Sequence, residues 1–182
     1  MSLRIEGYVI LSADGMLADA SGAMPESLKF DADQRFFEDA LDRADLVVHG
    51  RNSYEDQARS AMRRRVIVTR KVAGLAPDPS NPKATLWNPA GASFAEACAA
   101  AGVVAGTAAI IGGPSVFGIL LDRTTTFWLS RANRLRLPGG KPGFPGGEHR
   151  SPEDILASHG LSPDPPIVLD PVHDVTLTAW RR

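Results

Sequence analysis

The sequence predicts one α/β domain with a mainly parallel central sheet, flanking helices and an antiparallel hairpin at the C-terminus. Three observations predict it. Short apolar runs such as Leu46-Val47-Val48 and Val66-Ile67-Val68 suit strands that a sheet buries on both faces. Segments of helical periodicity alternate with these runs, the pattern of an α/β sheet. The chain of 182 residues is 43% hydrophobic, enough for one substantial core, and no linker separates a second one, so a single domain over 1–182 is expected.

Each element follows from local chemistry. β-branched and aromatic residues from Leu3 to Leu11 form a strand that stops at the Ala13-Asp14-Gly15 turn, and a loop runs on to about Phe30. Asp31 stands three residues before Gln34, a capping-box spacing, and Phe36, Phe37, Ala40, Leu41 and Ala44 recur at helical intervals, which predicts a helix from Asp31 to Arg43. Asp45 to His49 and Val66 to Thr69 read as buried strands, the first ended by Gly50. Lys71 to Pro82 is a proline-punctuated loop, Ala84 to Trp87 a short strand, and Ser93 with Glu96 a second capping box opening an Ala-rich helix to about Gly102. Thr107 to Ile111 is the next strand. Gly112-Gly113 turns the chain, and Pro114 suits the first position of a helix, where its fixed φ and missing donor are tolerated. Thr124 to Ala132 is a further strand. Six Gly and seven Pro between Arg134 and Pro166 argue against a long regular element, so this stretch is expected to be a functional or mobile loop. A strand ending at Leu169, a turn at Asp170-Pro171 and a last strand from Val175 to Trp180 complete the hairpin.

Composition narrows the function. Twenty basic and twenty-one acidic residues give a net charge of -1, which disfavours binding of nucleic acid through bulk positive charge. The single cysteine, Cys98, forms no internal disulfide and suits a reducing cytoplasm. Ala97 to Leu121 carries no charge, but its many glycines and Pro114 fit a helix, strand, turn and helix in a globular core better than a membrane span. His49, His149, His159 and His173 lack metal-ligand spacing, so no metal is expected.

Four strands end in unusual chemistry: Ala13-Asp14-Gly15, Gly50-Arg51-Asn52-Ser53, Thr69-Arg70-Lys71 and Gly112-Gly113-Pro114-Ser115. In a parallel sheet all four face the crevice outside the carboxyl ends, where open α/β sheets collect ligands. Gly112 and Gly113 let a ligand approach the backbone, the helix opening at Pro114 presents N–H groups to a pyrophosphate, Arg51 can pair with a phosphate and Ser53 can donate to one. Arg59, Arg63, Arg64, Arg65, Arg70 and Lys71 occur between Gln57 and Ala76 without one acid, which favours a cofactor with an additional phosphate. Taken singly, Gly-Gly before a helix is also an ordinary turn, and Arg63 to Arg65 also fits a solvated face. Neither a G-x-G-x-x-G fingerprint after a strand nor a P-loop is present, and Gly113-Pro114-Ser115-Val116-Phe117-Gly118 misses a nucleophile elbow by one residue.

These segments resemble the dihydrofolate reductase-like superfamily, which includes the reductase domain of the bacterial riboflavin-biosynthesis deaminase-reductase. Ser12-Ala13-Asp14-Gly15-Met16-Leu17-Ala18 is similar to the S-L-D-G-x-I-A stretch of the riboflavin-type domain. Gly50-Arg51-Asn52-Ser53-Tyr54-Glu55 resembles the G-R-x-T-[WY]-E segment of dihydrofolate reductases, and Ile111-Gly112-Gly113 with Val116-Phe117 resembles their I-G-G-x-x-[VI]-[YF]. Trp128-Leu129-Ser130 matches a Y-L-T strand, and Phe144-Pro145 is similar to a later F-P.

The resemblance implies a dihydrofolate reductase-like fold and an NADPH-dependent reductase, homodimeric as in the riboflavin type, acting on a small heterocycle. It places the nicotinamide near Ala13, Gly15, Met16 and Leu17, and the pyrophosphate between Gly50-Arg51-Asn52-Ser53 and Ile111, Gly112, Gly113, Pro114, Ser115, Val116 and Phe117. The 2′-phosphate then falls near Thr69, Arg70 and Lys71. Asp33 matches the family's helix carboxylate, with Asp31 as the alternative acid, and Ser130 matches the hydroxyl that hydrogen-bonds it. Two departures bear on the substrate: no lysine precedes Ser12 in the riboflavin-type place, and Ile111 stands where that type has an acid before Gly-Gly. The expected reaction is reduction of a ribosylaminopyrimidine or pterin-like substrate, with dihydrofolate the alternative. A non-catalytic nucleotide- or pterin-binding module is the alternative of another class.

Overall fold

The computed structural model describes residues 2–53 and 57–182. Ten strands form one sheet among these residues. β1 (Leu3–Ser12) lies near the middle, with β8 (Thr126–Ala132) on one side and β7 (Gly106–Ile110), β3 (Leu46–Gly50), β4 (Arg65–Val68) and β6 (Ala84–Trp87) following on the other. All of these neighbours are parallel. β12 (Val175–Arg181) pairs antiparallel with β8 and carries β10 (Ser162–Pro163) and β11 (Ile167–Asp170) at the edge, which is the expected C-terminal hairpin. At the other edge, β5 (Leu75–Pro77) pairs antiparallel with β6 inside the segment expected to be a loop. An edge strand tolerates Pro77 because one side of its backbone needs no partner.

Strand alternation divides the apolar residues between two layers. Ile5, Leu11, Leu46, Val48, Ala108 and Ile110 face α2 (Phe94–Ala100), α3 (Pro114–Leu120) and α4 (Pro152–Ser158). Tyr8, Val47 and Ala109 face Ala40 and Leu41 of α1 (Asp31–Arg43). The uncharged stretch from Ala97 to Leu121 is divided among α2, β7 and α3, and no helix among the described residues is long and apolar enough to cross a membrane.

The Ser93 capping box forms as expected: Glu96 N–H donates to Ser93 Oγ at 3.2 Å and Ser93 N–H to Glu96 Oε2 at 2.7 Å. The Asp31 box does not. Phe30 is the N-cap, and its carbonyl accepts the Gln34 N–H at 2.9 Å, so Asp31 is the first helical residue, one position past the capping place, and no side chain caps the helix start.

The stretch from Arg134 to Pro166 is more ordered than its composition suggests. Lys141–Pro142 forms β9, which pairs with β2 (Met16–Ala18), and α4 starts where Ser151 Oγ accepts the Asp154 N–H at 3.0 Å, with Pro152 at the first position. Phe144 is buried between Phe117 and Phe127, with ring centroids 5.5 and 5.2 Å away. Phe144→Ala is therefore expected to cost about 3–5 kcal/mol of stability, measured by denaturant unfolding.

Candidate functional site

β1, β7, β3 and β4 are adjacent and parallel, so their carboxyl ends form one edge. Ala13-Asp14-Gly15, Gly112 to Ser115, Gly50 to Ser53 and Thr69 to Lys71 follow one another along it. Strand order alone thus brings together the four segments singled out in the sequence.

The middle of this edge is a glycine cradle. Gly50 N–H donates to the Gly112 carbonyl at 2.7 Å, and Ile111 N–H to the Val48 carbonyl at 3.0 Å, which fixes the two turns against each other. A Cβ on Gly50 would stand 3.3 Å from Ser53 Oγ and 3.5 Å from Val116 Cγ2, and one on Gly113 would stand 3.4 Å from the same Ser53 oxygen. Gly112 has φ +105°, which excludes an ordinary side chain, and the Gly112-Gly113 peptide is cis. Gly113 caps α3, with Pro114 at its first position, and its carbonyl accepts the Val116 N–H at 3.0 Å and the Phe117 N–H at 3.3 Å. α3 spans only seven residues, so missing side chains, rather than a long dipole, suit this place to a pyrophosphate.

The basic run is dispersed rather than gathered. Arg59 and Arg63 pair with Asp42, and Arg63 also with Glu38 of α1 at 2.8 Å. Arg64 donates to the Gly102 carbonyl at 3.3 Å, and Arg65 is buried against His49. Arg59, Arg63 and Arg64 follow their own elements away from the edge and Arg65 is buried below it, which leaves Arg70 and Lys71, both exposed, beside the buried Thr69 at the end of β4. Thr69 Oγ1 accepts the Lys71 N–H at 3.2 Å. Arg51 is half-buried next to Gly50. Burial pushes the nearby Asp78 carboxyl up, but hydrogen bonds from Ser80, with the charges of Arg51 and Arg65, hold it below the usual carboxylate range. Tyr54 and Glu55, the last two residues of the arginine motif, lie outside the described residues.

On the α1 side of the sheet, Asp33 in the first helical turn is buried, close to the Ser130 hydroxyl of β8. Burial pushes the Asp33 carboxyl above its ordinary range, and the Ser130 hydroxyl pulls part of the way back. Asp31 is exposed. Ser130 is opposite Ile10 of β1, and apolar residues flank the pair: Ile10 clusters with Leu28, Met16 and Phe30, and Ile111 with Phe37 and Trp128. A carboxyl in such a place holds its proton to higher pH than a free one and can pass it to a bound base.

The Ala13 turn is held by residues the sequence reading did not connect to it. Ala13 N–H donates to the Leu135 carbonyl at 2.7 Å, Arg131 Nη2 to the Ala13 carbonyl at 3.1 Å, and Leu137 N–H to Asp14 Oδ1 at 3.0 Å. Gly15 has φ +83°, and its carbonyl accepts the Gly143 N–H at 3.2 Å. Met16 and Leu17 then enter β2. The signal in the sequence for this segment is the glycine and proline density after Arg134, read there as a functional or mobile loop. Among the described residues no group of His, Cys, Asp or Glu is arranged to hold a metal ion.

No protein-family profile and no curated sequence matches the chain. Solved structures do. The dihydrofolate reductase from Enterococcus faecalis, complexed with NADP(H) and RAB-propyl, aligns with a TM-score of 0.66 at 17% identity over 98% of this chain and 96% of its own. The chain has the dihydrofolate reductase-like fold. A putative riboflavin biosynthesis protein from Shewanella sp. PV-4 matches this fold equally, with a TM-score of 0.66 at 18% identity over 98% of both chains. The Thermotoga maritima diaminohydroxyphosphoribosylaminopyrimidine deaminase/5-amino-6-(5-phosphoribosylamino)uracil reductase gives 0.64 at 13% identity, and the alignment spans 99% of this chain but 56% of that one. The dihydrofolate reductase-like frame therefore runs through nearly the whole chain.

Proposed function

We propose that this chain is an NADPH-dependent reductase that transfers hydride to a C=N carbon of a ribosylaminopyrimidine or pterin-like heterocycle. The carrying observation is the buried Asp33, beside the Ser130 hydroxyl, on the same sheet edge as the glycine cradle. NADPH, when bound, supplies the hydride. Gly50, Arg51, Asn52, Ser53 and the segment from Ile111 to Phe117 would hold its pyrophosphate, Thr69, Arg70 and Lys71 its 2′-phosphate, and Ala13 to Leu17 its nicotinamide. The cradle fits this load, because a Cβ at Gly50 or Gly113 would stand in the space where phosphate oxygens approach the backbone.

The chemistry left to the protein is proton supply. When hydride reaches the carbon, the C=N pair moves to nitrogen, which must then take a proton. Asp33, whose proton burial holds more tightly than a free carboxyl would, gives or relays it, and the Ser130 hydroxyl beside it orients the carboxyl. Catalysis that needs protonated Asp33 declines as pH rises through its pKa. Ser130→Ala removes the hydroxyl that lowers this pKa, so the declining limb of the pH–rate profile is expected to move to higher pH. An unmoved limb assigns the titration to another group.

The Asp33–Ser130 pair also favours a second reading within the class, dihydrofolate as substrate, since this carboxyl and hydroxyl match the dihydrofolate-type resemblance. Turnover of dihydrofolate and of the ribosylaminopyrimidine, each with NADPH, separates the two. NADPH binding without turnover of either substrate would favour the non-catalytic module. A cytoplasmic homodimer is part of the proposal, and light scattering is expected to give the mass of two chains.

A further inference from the structure

One buried polar pair lies directly beneath the cradle and has no part in the proton chemistry. His49 of β3 is fully buried and Arg65 of β4 is 4% exposed. His49 Nδ1 is 2.8 Å from the Gly50 carbonyl oxygen, and Arg65 Nη1 is 3.4 Å from His49 Nε2. A carbonyl only accepts hydrogen bonds and a guanidinium only donates them. The two neighbours therefore select the same form of the ring: neutral, with hydrogen on Nδ1 and a lone pair on Nε2. That Nδ1–H donates to the oxygen that also accepts the Ser53 N–H at 3.1 Å, while Gly50 N–H is held by the Gly112 carbonyl.

We propose that Arg65 and His49 are positioning residues for a dinucleotide pyrophosphate: the guanidinium fixes the His49 tautomer, and the ring holds Gly50 so that Ser53 and Gly113 form one concavity. This rests on the functional reading above for the identity of the ligand, but not for the arrangement of the turn. Desolvation accounts for the neutral ring, pushing its pKa down to about 4; the Gly50 hydrogen bond opposes this, and the charges of Arg65 and Arg51 add to it. The unfolded ring titrates near 6.5, so the stability it lends is present above that pH and is lost as pH falls toward about 4.

The test is NADPH titration, followed by fluorescence, of wild type, His49→Leu and His49→Asn, with thermal melting of each. Leucine removes the donor, whereas the asparagine amide can stand near Nδ1 and donate to the same carbonyl. Binding is expected to weaken about tenfold in His49→Leu, the effect of one net hydrogen bond, and to return to within about threefold in His49→Asn. Equal binding by the two variants, strong or weak, overturns the positioning role. A nitrogen-15 spectrum of the wild-type imidazole decides the matter if His49→Leu does not fold or wild type does not bind NADPH. A neutral Nδ1–H ring persisting at pH 5 supports the arrangement, and an Nε2–H or doubly protonated ring overturns it. Absence of NADPH binding by wild type counts against the functional reading, and the nitrogen-15 result then stands by itself.

Discussion

Asp33→Asn is expected to reduce reductase turnover by about 10²- to 10⁴-fold, the range over which a positioned acid acts, while NADPH affinity stays near that of wild type. Asparagine keeps the shape of the carboxyl and can still meet the Ser130 hydroxyl, but it has no proton to give. The same substitution is expected to raise the melting temperature at pH 7. Burial raises the folded-state pKa of Asp33, so the folded chain binds its proton more tightly than the unfolded chain. Stability from this group is complete below the ordinary aspartate pKa of 3.8 and declines as pH rises through the higher folded value. Above that folded value the wild-type fold carries a poorly solvated charge that asparagine removes. Lower activity with a higher melting point is the signature of a functional group held at a cost to stability. Unchanged turnover would return Asp33 to the role of an ordinary first-turn acid favoured by the helix dipole.

Gly113→Val is expected to weaken NADPH binding by about a hundredfold or more, roughly 2.7 kcal/mol, with the fold retained. Gly113 has φ -74° and ψ -163°, an extended φ/ψ pair open to any residue. What a side chain would occupy is the concavity facing Ser53, where its Cβ alone would come within 3.4 Å of the hydroxyl oxygen. Gly112→Val is the contrasting case. With φ +105° at that position, strain in the backbone itself is expected to lower the melting temperature along with binding. A titration of Gly113→Val that matches wild type would remove the cradle from the binding site.

The parallel sheet was legible because its strands are short apolar runs bounded by Gly, and because Ser93 and Pro114 carry helix-start chemistry that acts locally. The convergence of the four turns was legible for the same reason, since parallel strands send their carboxyl ends to one edge. Three features were hidden. The fate of the arginine run depended on partners far away in sequence, Asp42 and Glu38 for Arg63 and His49 for Arg65, and no charge count reveals pairing. The segment after Arg134 was hidden by its own composition: each glycine and proline is a weak local signal, while the burial of Phe144 that orders the segment is a tertiary effect. The resemblance favours Asp33, with Asp31 the alternative, but nothing in the sequence shows which of the two is buried. The starting residue of the helix decides which is buried, and Phe30, with no capping side chain, sets it.

The account rests on a nucleotide lying across the carboxyl edge of β1, β7, β3 and β4. Backbone amide spectra recorded while NADPH is added test this most directly. The prediction is saturable shifts at Ala13 to Leu17, Gly50 to Ser53, Thr69 to Lys71 and Ile111 to Phe117, reached at lower NADPH than NADH concentration. No saturable shift, or shifts confined to residues away from that edge, would contradict it.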